Sequence, residues 1–351
     1  MKKIIHTLII IVISYTVSAQ DMHFSQFNNT PMQTNPALTG AFAGNHRIIA
    51  NYRSQWKLVT KAYMTYGLSY DVGFLKKKLK SSFLAVGLQV FNDQSGDVNL
   101  GVTEVKLTAA YHLGINANNM LAVGLQTGWG QRRTTVSKMI YGSQYDPFSP
   151  GGYNPSLPTN ESSPFVNIDY GDFSAGILWH YNSKQSTVNT PETKKVTAGL
   201  AIFHINRPRQ TYYYYPIGND NTFRERMKFA FHVNSSIGFK GSKFSLQPSG
   251  VAFIQGEAYD ILLGSLFSYR LGNSSYYTKF NPETFISIGG FYRVGDAVVL
   301  MAQLDWKNFL LGLSYDINIS KFSNVSNGSG GFEVSLRYSP TVATAGNKNL
   351  Y

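Results

Sequence analysis

An alternation with a period of two residues recurs along most of this chain. It is clearest from Leu121 to Gly130, where LAVGLQTGWG places mainly large apolar residues at odd positions and small or polar residues at even ones. The same division occurs at 84–90 and 309–318. A period of two is that of a β-strand with two different faces. An aqueous sandwich would bury the apolar face, whereas an outer-membrane barrel would turn that face to lipid and the polar face to its lumen.

The start of the chain favours the membrane alternative. Lys2 and Lys3 precede an apolar run at 4–17, and residues 17–19, Val-Ser-Ala, are small residues of the kind that a signal peptidase reads. An uncleaved membrane anchor is the alternative, but the run is short for a span of about 20 residues. We therefore predict that residues 1–19 are a secretory signal peptide and that the mature protein lies in the outer membrane.

Composition excludes several classes of protein. No apolar stretch after the leader approaches the length of a membrane-spanning helix, which excludes a helical membrane protein. The chain has no cysteine, which removes disulfides, thiolate metal ligands and cysteine nucleophiles. The formal net charge of +12 is compatible with binding nucleic acid or anionic lipid. The basic residues are scattered, however, and no nucleic-acid-binding motif accompanies them, so we expect contact with outer-membrane lipid and no nucleic-acid partner.

The alternating segments predict an all-β protein, an antiparallel transmembrane β-barrel of about 14 strands, an even number as bacterial barrels usually have. We predict an irregular N-terminal segment at 20–46, the barrel at 47–339 and a C-terminal tail at 340–351. The predicted strands lie at 47–56, 62–72, 82–92, 102–113, 119–130, 172–182, 195–206, 226–239, 243–254, 257–271, 283–294, 297–306, 308–319 and 331–339.

Loop lengths give an independent check on this strand count. If the N-terminus is periplasmic, the odd-numbered connections face outward, and the long connections at 131–171 and 207–225 are the fifth and seventh. Long loops are expected outside. Two even-numbered connections, 183–194 and 272–282, are long for periplasmic turns, and a missed strand would invert the assignment between them.

Charged residues of the predicted lumen face have two interpretations. Water inside the barrel would solvate them individually, and this is the reading that we favour. Independently of this choice, an Arg at Gln126, on the lumen face, should be tolerated better than an Arg at Leu125, on the lipid face. Alternatively, the irregular segment 21–45 folds into the lumen as a plug, since its backbone and amide groups would not tolerate lipid. The charged residues are Arg47, Arg53, Glu104, Lys106, Lys228, Glu333 and Arg337.

Several short motifs bracket nearly the whole mature chain. They are HFSQF at 23–27, TNPALTGAF at 34–42, NYRSQW at 51–56, GDAV at 295–298, LGLSYD at 311–316 and GFEVSLRY at 331–338. Together they resemble the PorP/SprF family, which is associated with type IX secretion and gliding motility. The resemblance implies a non-enzymatic outer-membrane barrel that supports the secretion or surface attachment of a large adhesin-like type IX substrate. It also implies contact with other components of the secretion system.

Candidate partner-binding residues lie in the two long outer loops. Aromatic side chains there would serve as anchors, and arginines would add hydrogen bonds and charge. The aromatic candidates are Tyr145, Phe148, Tyr153, Tyr212, Tyr213, Tyr214 and Tyr215, and the basic ones are Arg207, Arg209, Arg224 and Arg226. The Tyr212–Tyr215 run also fits an aromatic girdle at the membrane surface. The basic turn at 76–80 fits either a solvated periplasmic turn or a docking patch for a periplasmic partner.

An enzyme and a pore are two other classes of function. An enzyme would need a nucleophile, a base and an orienting group, and no local cluster of these is visible. We therefore predict no catalytic site and no cofactor. His180, His204 and His232 lie far apart in sequence without metal-ligand spacing, so no metal site is predicted either. An outer-membrane pore or small-molecule transporter is the stronger alternative, because a barrel of about 14 strands is wide enough for a channel unless it is filled from within.

Overall fold

A computed structural model describes residues 22–57, 61–74, 82–135, 138–159, 167–184, 193–209, 224–239, 241–271, 284–321 and 323–340. In these ranges the chain forms one closed antiparallel barrel of fourteen strands. The strands are β1 (His46–Gln55), β2 (Tyr63–Phe74), β3 (Ser82–Ser95), β4 (Leu100–Gly114), β5 (Asn119–Arg133), β6 (Ile168–Lys184), β7 (Thr193–Phe203), β8 (Lys228–Gly238), β9 (Phe244–Gln255), β10 (Ala258–Leu271), β11 (Thr284–Arg293), β12 (Ala297–Trp306), β13 (Phe309–Asn318) and β14 (Ser329–Tyr338).

Each strand pairs with the next one in sequence, and β14 returns to pair with β1. In the closing pair, Ile48 lies opposite Tyr338 and Arg53 lies opposite Glu333. Closure leaves no strand edge without a neighbour, which is what a sheet in lipid requires. The predicted all-β barrel of fourteen strands is confirmed, and each predicted strand overlaps the observed one.

The two faces of the wall differ as the period of two predicts. On β5, Leu125 is 64% exposed, whereas its neighbour Gln126 is 3% exposed. The outer face carries Leu, Ile, Phe and Tyr on nearly every strand, and the inner face carries small, polar and charged residues. This is the pattern of a barrel whose outer face meets lipid.

The two ends of the barrel differ in their connections. At the loop end lie the longest ones, 134–167 and 204–227. At the terminal end, where β1 begins and β14 ends, β12 and β13 are joined by only two residues, 307–308. The long connections that depart from this trend, at 185–192 and 272–283, are outside the described residues.

The segment 22–45 lies inside the barrel, and we call it the plug. Its residues Phe24, Phe27, Met32 and Ala37 are buried. It was predicted as irregular chain, but it contains three single helical turns, at Phe27–Asn29, Pro31–Thr34 and Pro36–Leu38. Two of these turns begin with proline, whose fixed φ suits the first position of a helix.

Short helical turns also occur outside the barrel wall. They lie at Gly142–Gln144, Pro150–Gly152 and Ser323–Ser326. Within the part of the chain that the structure describes, every helix is too short to cross a membrane. The predicted signal peptide and most of the predicted C-terminal tail, from 341 onward, are outside the described residues.

Candidate functional site

Four charged side chains near the loop end hold the start of the plug. Arg53, Arg293, Asp316 and Glu333, which we call the plug cluster, are all buried. Asp316 Oδ2 lies 3.0 Å from Arg293 Nη1 and 3.3 Å from Arg53 Nη2. The carboxylate of Glu333 pairs with Arg53 and accepts the backbone N–H groups of Ser25 and Gln26, at 2.7 and 3.0 Å. The plug backbone therefore completes the hydrogen bonding of a buried charge, which would be costly to leave unpaired.

Amide side chains fix the middle of the plug to the wall. Asn29 Nδ2 donates to Ser335 Oγ at 2.9 Å. Asn35 Nδ2 donates to the carbonyl oxygens of Ile177 and Leu200, at 3.0 and 3.2 Å. These carbonyls belong to β6 and β7, so one plug side chain hydrogen-bonds to two adjacent strands.

Two glycines of the wall allow the plug to approach closely. A Cβ atom at Gly176 would overlap Oδ1 of Asn35, and one at Gly124 would overlap the backbone of Pro36 and Ala37. Both glycines are on the lumen face of their strands, β6 and β5. The absence of a side chain at these positions is therefore a requirement of the plug, not of the strands.

A third set of contacts fixes the end of the plug where it enters β1. Asp71 accepts the backbone N–H of Gly40 at 2.7 Å and pairs with Arg47 at 2.7 Å. Arg47 also donates to the carbonyl oxygen of Leu38 at 3.1 Å. Gly40 has a φ of 77°, a left-handed conformation that favours glycine.

A second group of buried charges, the loop cluster, ties the connection 204–227 to the wall. Lys106 Nζ lies 2.9 Å from Glu104 and 3.5 Å from Asp172. Asp172 also contacts Nδ1 of His204 at 3.0 Å. Glu225 pairs with Arg132 at 3.0 Å. The connection is thus anchored at His204 and Glu225, close to where it leaves β7 and enters β8.

These contacts decide between the two interpretations of the lumen charges. Arg47, Arg53, Glu104, Lys106 and Glu333 are buried and paired, and so the favoured reading, individual solvation by water, is wrong for them. Lys228 is also buried, with Nζ 4.9 Å from the ring centre of Phe203. Arg337 is half-buried and pairs with Asp305 at 3.3 Å. It lines a cavity, so it is closer to the expected environment than the others, although it too is paired.

The terminal half of the lumen contains that cavity, which has a volume of about 730 Å³. Plug residues Asn28 and Asn29 form part of its wall. A contiguous space of about 400 Å³ extends past Pro31 and Phe42. The plug therefore forms part of the boundary of the space at the terminal end.

The described part of the fifth connection presents apolar side chains to solvent. Phe148 is 95% exposed and Tyr145 is 68% exposed, while Tyr153 is half-buried and forms a β-bridge with Tyr145. Asp146 organises the tip, because its carboxylate accepts the N–H of Phe148 at 3.0 Å and the hydroxyl of Ser149 at 2.8 Å. These bonds lower the pKa of Asp146 below its ordinary value.

The predicted arginines lie together at the base of the seventh connection. Arg209 and Arg224 form a β-bridge, and Arg224 Nη1 donates to the carbonyl oxygen of Arg207 at 3.3 Å. Arg226 lies 3.9 Å from Glu257 in an exposed pair. The structure thus brings these four arginines to one side of the loop end. The predicted Tyr212–Tyr215 run and the basic turn at 76–80 are outside the described residues.

The three histidines that lack metal-ligand spacing have separate partners. His180 contacts Thr197, His204 contacts Asp172, and His232 contacts Asn35. Among the described residues, there is no group of three or more His, Cys, Asp or Glu side chains that could hold a metal ion.

Comparison with known proteins places this arrangement in a family. Residues 16–338 match the family model described as type IX secretion system membrane protein PorP/SprF. The chain belongs to the PorP/SprF family. Membership together with the closed barrel points to the outer membrane and to contact with other components of the type IX secretion system. No curated protein matches this PorP/SprF chain.

Solved structures similar to this PorP/SprF barrel are membrane barrels of low sequence identity. The CymD monoaromatic hydrocarbon channel is 11% identical, with a TM-score of 0.44, over 93% of this chain and 95% of that chain. The P. putida toluene transporter TodX is 10% identical, with a TM-score of 0.43, over 89% and 93%. BamA from Haemophilus ducreyi, lacking POTRA domains 1–3, is 11% identical, with a TM-score of 0.41, over 84% and 70%.

Proposed function

We propose that this PorP/SprF protein is a closed, non-enzymatic platform for a large type IX adhesin. It supports the secretion of the adhesin or its attachment to the cell surface, in the service of gliding motility. The observation that carries the proposal is the plug, which fills the loop half of the lumen and is held by buried charges. A barrel closed in this way acts through its surfaces.

The contacts of the plug argue against its simple displacement. Removal of Ser25 and Gln26 would take two backbone donors from the buried carboxylate of Glu333. Breaking a buried, hydrogen-bonded charge pair costs about 3–5 kcal/mol. The contacts of Asn35 and Gly40 with the wall would be lost as well. We therefore do not propose that a folded adhesin passes through this lumen.

The loop end supplies the adhesin-binding surface, and we infer that it faces outward after cleavage of the leader at residue 19. Exposed aromatic side chains and arginines are the residue types that dominate protein interfaces. Tyr145 and Phe148 provide the aromatic anchors in the described part of the loops, and Arg207, Arg209 and Arg224 provide charge. Tyr153 and Arg226 lie beside them, and Tyr212–Tyr215 belong to the same connection as the arginines.

The experiment is a surface proteome. A strain without the protein is complemented with the wild type, with a variant whose residues 141–156 are replaced by a short glycine-serine turn, or with a control shortened at 320–327. Assembly of each barrel is checked by comparing the gel mobility of heated and unheated samples. We expect the 141–156 variant to release or trap a specific secreted protein without general leakage of the envelope. An unaltered set of surface proteins would overturn the proposal.

A pore or small-molecule transporter is the second candidate. The cavity of about 730 Å³ supports it, since small-molecule sites commonly have volumes of about 300–1,000 Å³. This alternative predicts altered solute uptake in the strain without the protein, with an unchanged surface proteome. The same set of strains therefore distinguishes the two functions.

A further inference from the structure

The wall of the barrel is interrupted between β8 and β9. The ladder pairs Asn234 with Ser249 and resumes three residues later with Ile237 opposite Leu246. The interruption, in a part of the wall that is fully described, coincides with Pro248. Proline has no N–H to donate to a ladder and is rarely found inside a sheet. On its other side, Pro248 remains paired with Ser265 of β10, so the interruption concerns one seam only.

The burial pattern of the wall also changes at this seam. Along β8, the alternation of buried and exposed residues holds from Lys228 to His232 and then stops, and every residue from 233 to 238 is half-buried. On β9, residues 245–248 are likewise half-buried on both faces. An intact wall would bury the residues of its inner face and leave those of its outer face exposed. Here the residues of both faces are half-buried.

The large lumen cavity extends along this seam. It is lined by Asn234, Ser236 and Gln247, which belong to the inner face. It is also lined by Ser235 and Phe244, which belong to the outer face. The ring of Phe244 lies 5.0 Å from that of Phe267, which is exposed on the outer surface of β10. The cavity therefore touches residues of both faces beside the interrupted ladder.

The part of the cavity that lies in the lumen is lined by basic residues. Lys195, Lys243, Arg270 and Arg337 all line the cavity, with Asp305 as a counter-charge to Arg337. All four lie near the terminal end of their strands or in a terminal-end turn. Arginine and lysine are the usual partners of phosphate groups, and basic pockets near a membrane surface bind anionic lipid head groups.

We propose that this site binds an anionic phospholipid, which enters laterally between β8 and β9. Its phosphate lies among Lys195, Arg270 and Arg337, and its acyl chains remain outside against Phe244 and Phe267. The interrupted ladder permits this entry, because the strands need not break those hydrogen bonds to admit a head group. The site is separate from the loop-end surface, so the proposal does not depend on the secretion role.

Cross-linking of the seam provides the first test. The chain has no cysteine, so Ser236→Cys with Gln247→Cys introduces a single pair of cysteines. The two substitutions leave Pro248 in place. Cross-strand neighbours are within reach of a disulfide. The matched control is Phe231→Cys with Ala252→Cys, a pair on the same two strands where the ladder is intact. Full-length mature protein is equilibrated in nanodiscs of phosphatidylcholine with phosphatidylglycerol, and bound lipids are counted by native mass spectrometry.

We expect oxidation of the 236–247 pair to remove one tightly bound phosphatidylglycerol and reduction to restore it, with no change in the control. Retention of this lipid after oxidation would overturn lateral entry. Displacement of the lipid by an equal concentration of inorganic phosphate would show that the site takes soluble phosphate, and would overturn the lipid proposal as well.

Charge variants test the head-group contacts without any cross-link. Lys195→Gln and Arg270→Gln should each weaken phosphatidylglycerol binding about fivefold, since a basic residue near an anionic lipid contributes about 1 kcal/mol. Lys194→Gln is the matched control, because Lys194 is adjacent in sequence but exposed on the outer face. An equal loss in Lys194→Gln and Lys195→Gln would assign the effect to general surface charge and overturn the site.

Discussion

Arg53 of β1 and Glu333 of β14 lie directly opposite each other in the strand pair that closes the barrel, and their side chains form a buried ion pair. The same carboxylate accepts the N–H groups of Ser25 and Gln26 from the plug. One residue thus joins the first strand, the last strand and the plug. Closure of the barrel and seating of the plug are therefore energetically coupled.

Glu333→Gln should destabilise the barrel by about 3 kcal/mol. Removal of one charge from a buried pair costs about 3–5 kcal/mol, and the Gln carbonyl retains part of the hydrogen bonding to the plug. The measurement is urea unfolding of the protein in lipid vesicles, followed by tryptophan fluorescence. Arg226→Gln breaks an exposed pair with Glu257 and should cost less than about 1 kcal/mol. Equal losses in the two variants would contradict the importance of the plug cluster.

Gly124→Ala should displace the plug. The added Cβ would overlap the backbone of Pro36 and Ala37, which has little freedom to move, and such overpacking costs about 1–3 kcal/mol. Hydrogen exchange of the plug amides should accelerate. Gly171→Ala is the control, because the nearest atom to its Cβ is 4.0 Å away. If both variants protect the plug as well as the wild type does, the close approach at Gly124 is not what holds it.

Arginine on the two faces of β12 should have different effects. Leu300→Arg faces lipid near the middle of the strand and should cost about 2–4 kcal/mol. Gln303→Arg faces the large cavity and should cost much less. Unfolding in vesicles measures both. A loss at Gln303 as large as that at Leu300 would contradict the assignment of faces or the presence of an aqueous cavity.

The outline of the barrel could be predicted from the sequence, because a two-sided wall imposes a period of two on each strand. The environment of individual lumen residues could not. Gln126 was expected to face water, but it is buried and donates to the carbonyl oxygen of Met32 in the plug. Gln126→Arg should therefore reduce stability more than a position on a water-filled lumen face would suggest. The period of two identifies the inner face but says nothing about what fills the space inside it.

The partners of the lumen charges were likewise hidden from sequence reasoning. Arg53 and Glu333 are 280 residues apart in the chain, and only the closure of β14 on β1 brings them together. Asp71, Asp172 and Glu225 were missed as partners of predicted lumen residues. Asp71 and Asp172 could have been recognised as lumen residues, because they continue the polar faces of β2 and β6. Pairing itself depends on strand register, which the alternation does not specify.

Acidification should loosen the tip of the fifth connection. Hydrogen bonds from Phe148 and Ser149 lower the pKa of Asp146 below its ordinary value of 3.8. A lowered pKa means that the charged form stabilises the folded loop. This stabilisation is complete above the unfolded value and is lost as the pH falls through the lowered one. Hydrogen exchange of the Phe148 amide, corrected for intrinsic rates, should therefore lose protection only below about pH 4.

Asp146→Asn provides the control for this pH dependence. The variant has no titrating carboxyl at this position, so its corrected protection should be lower and should not change over the same range. A wild-type loop whose protection is constant down to pH 2 would contradict the role of the Asp146 carboxylate.

Ion conductance in planar bilayers tests the closed barrel most directly. The full mature protein should insert without producing conductance steps, whereas a variant lacking residues 24–38, once shown to form a barrel, should give steady open steps. This contrast is expected because, in the proposed platform, the plug that borders the terminal-end cavity closes the lumen. Steady conductance by the wild type, equal to that of the plugless variant, would contradict a closed platform and favour the pore.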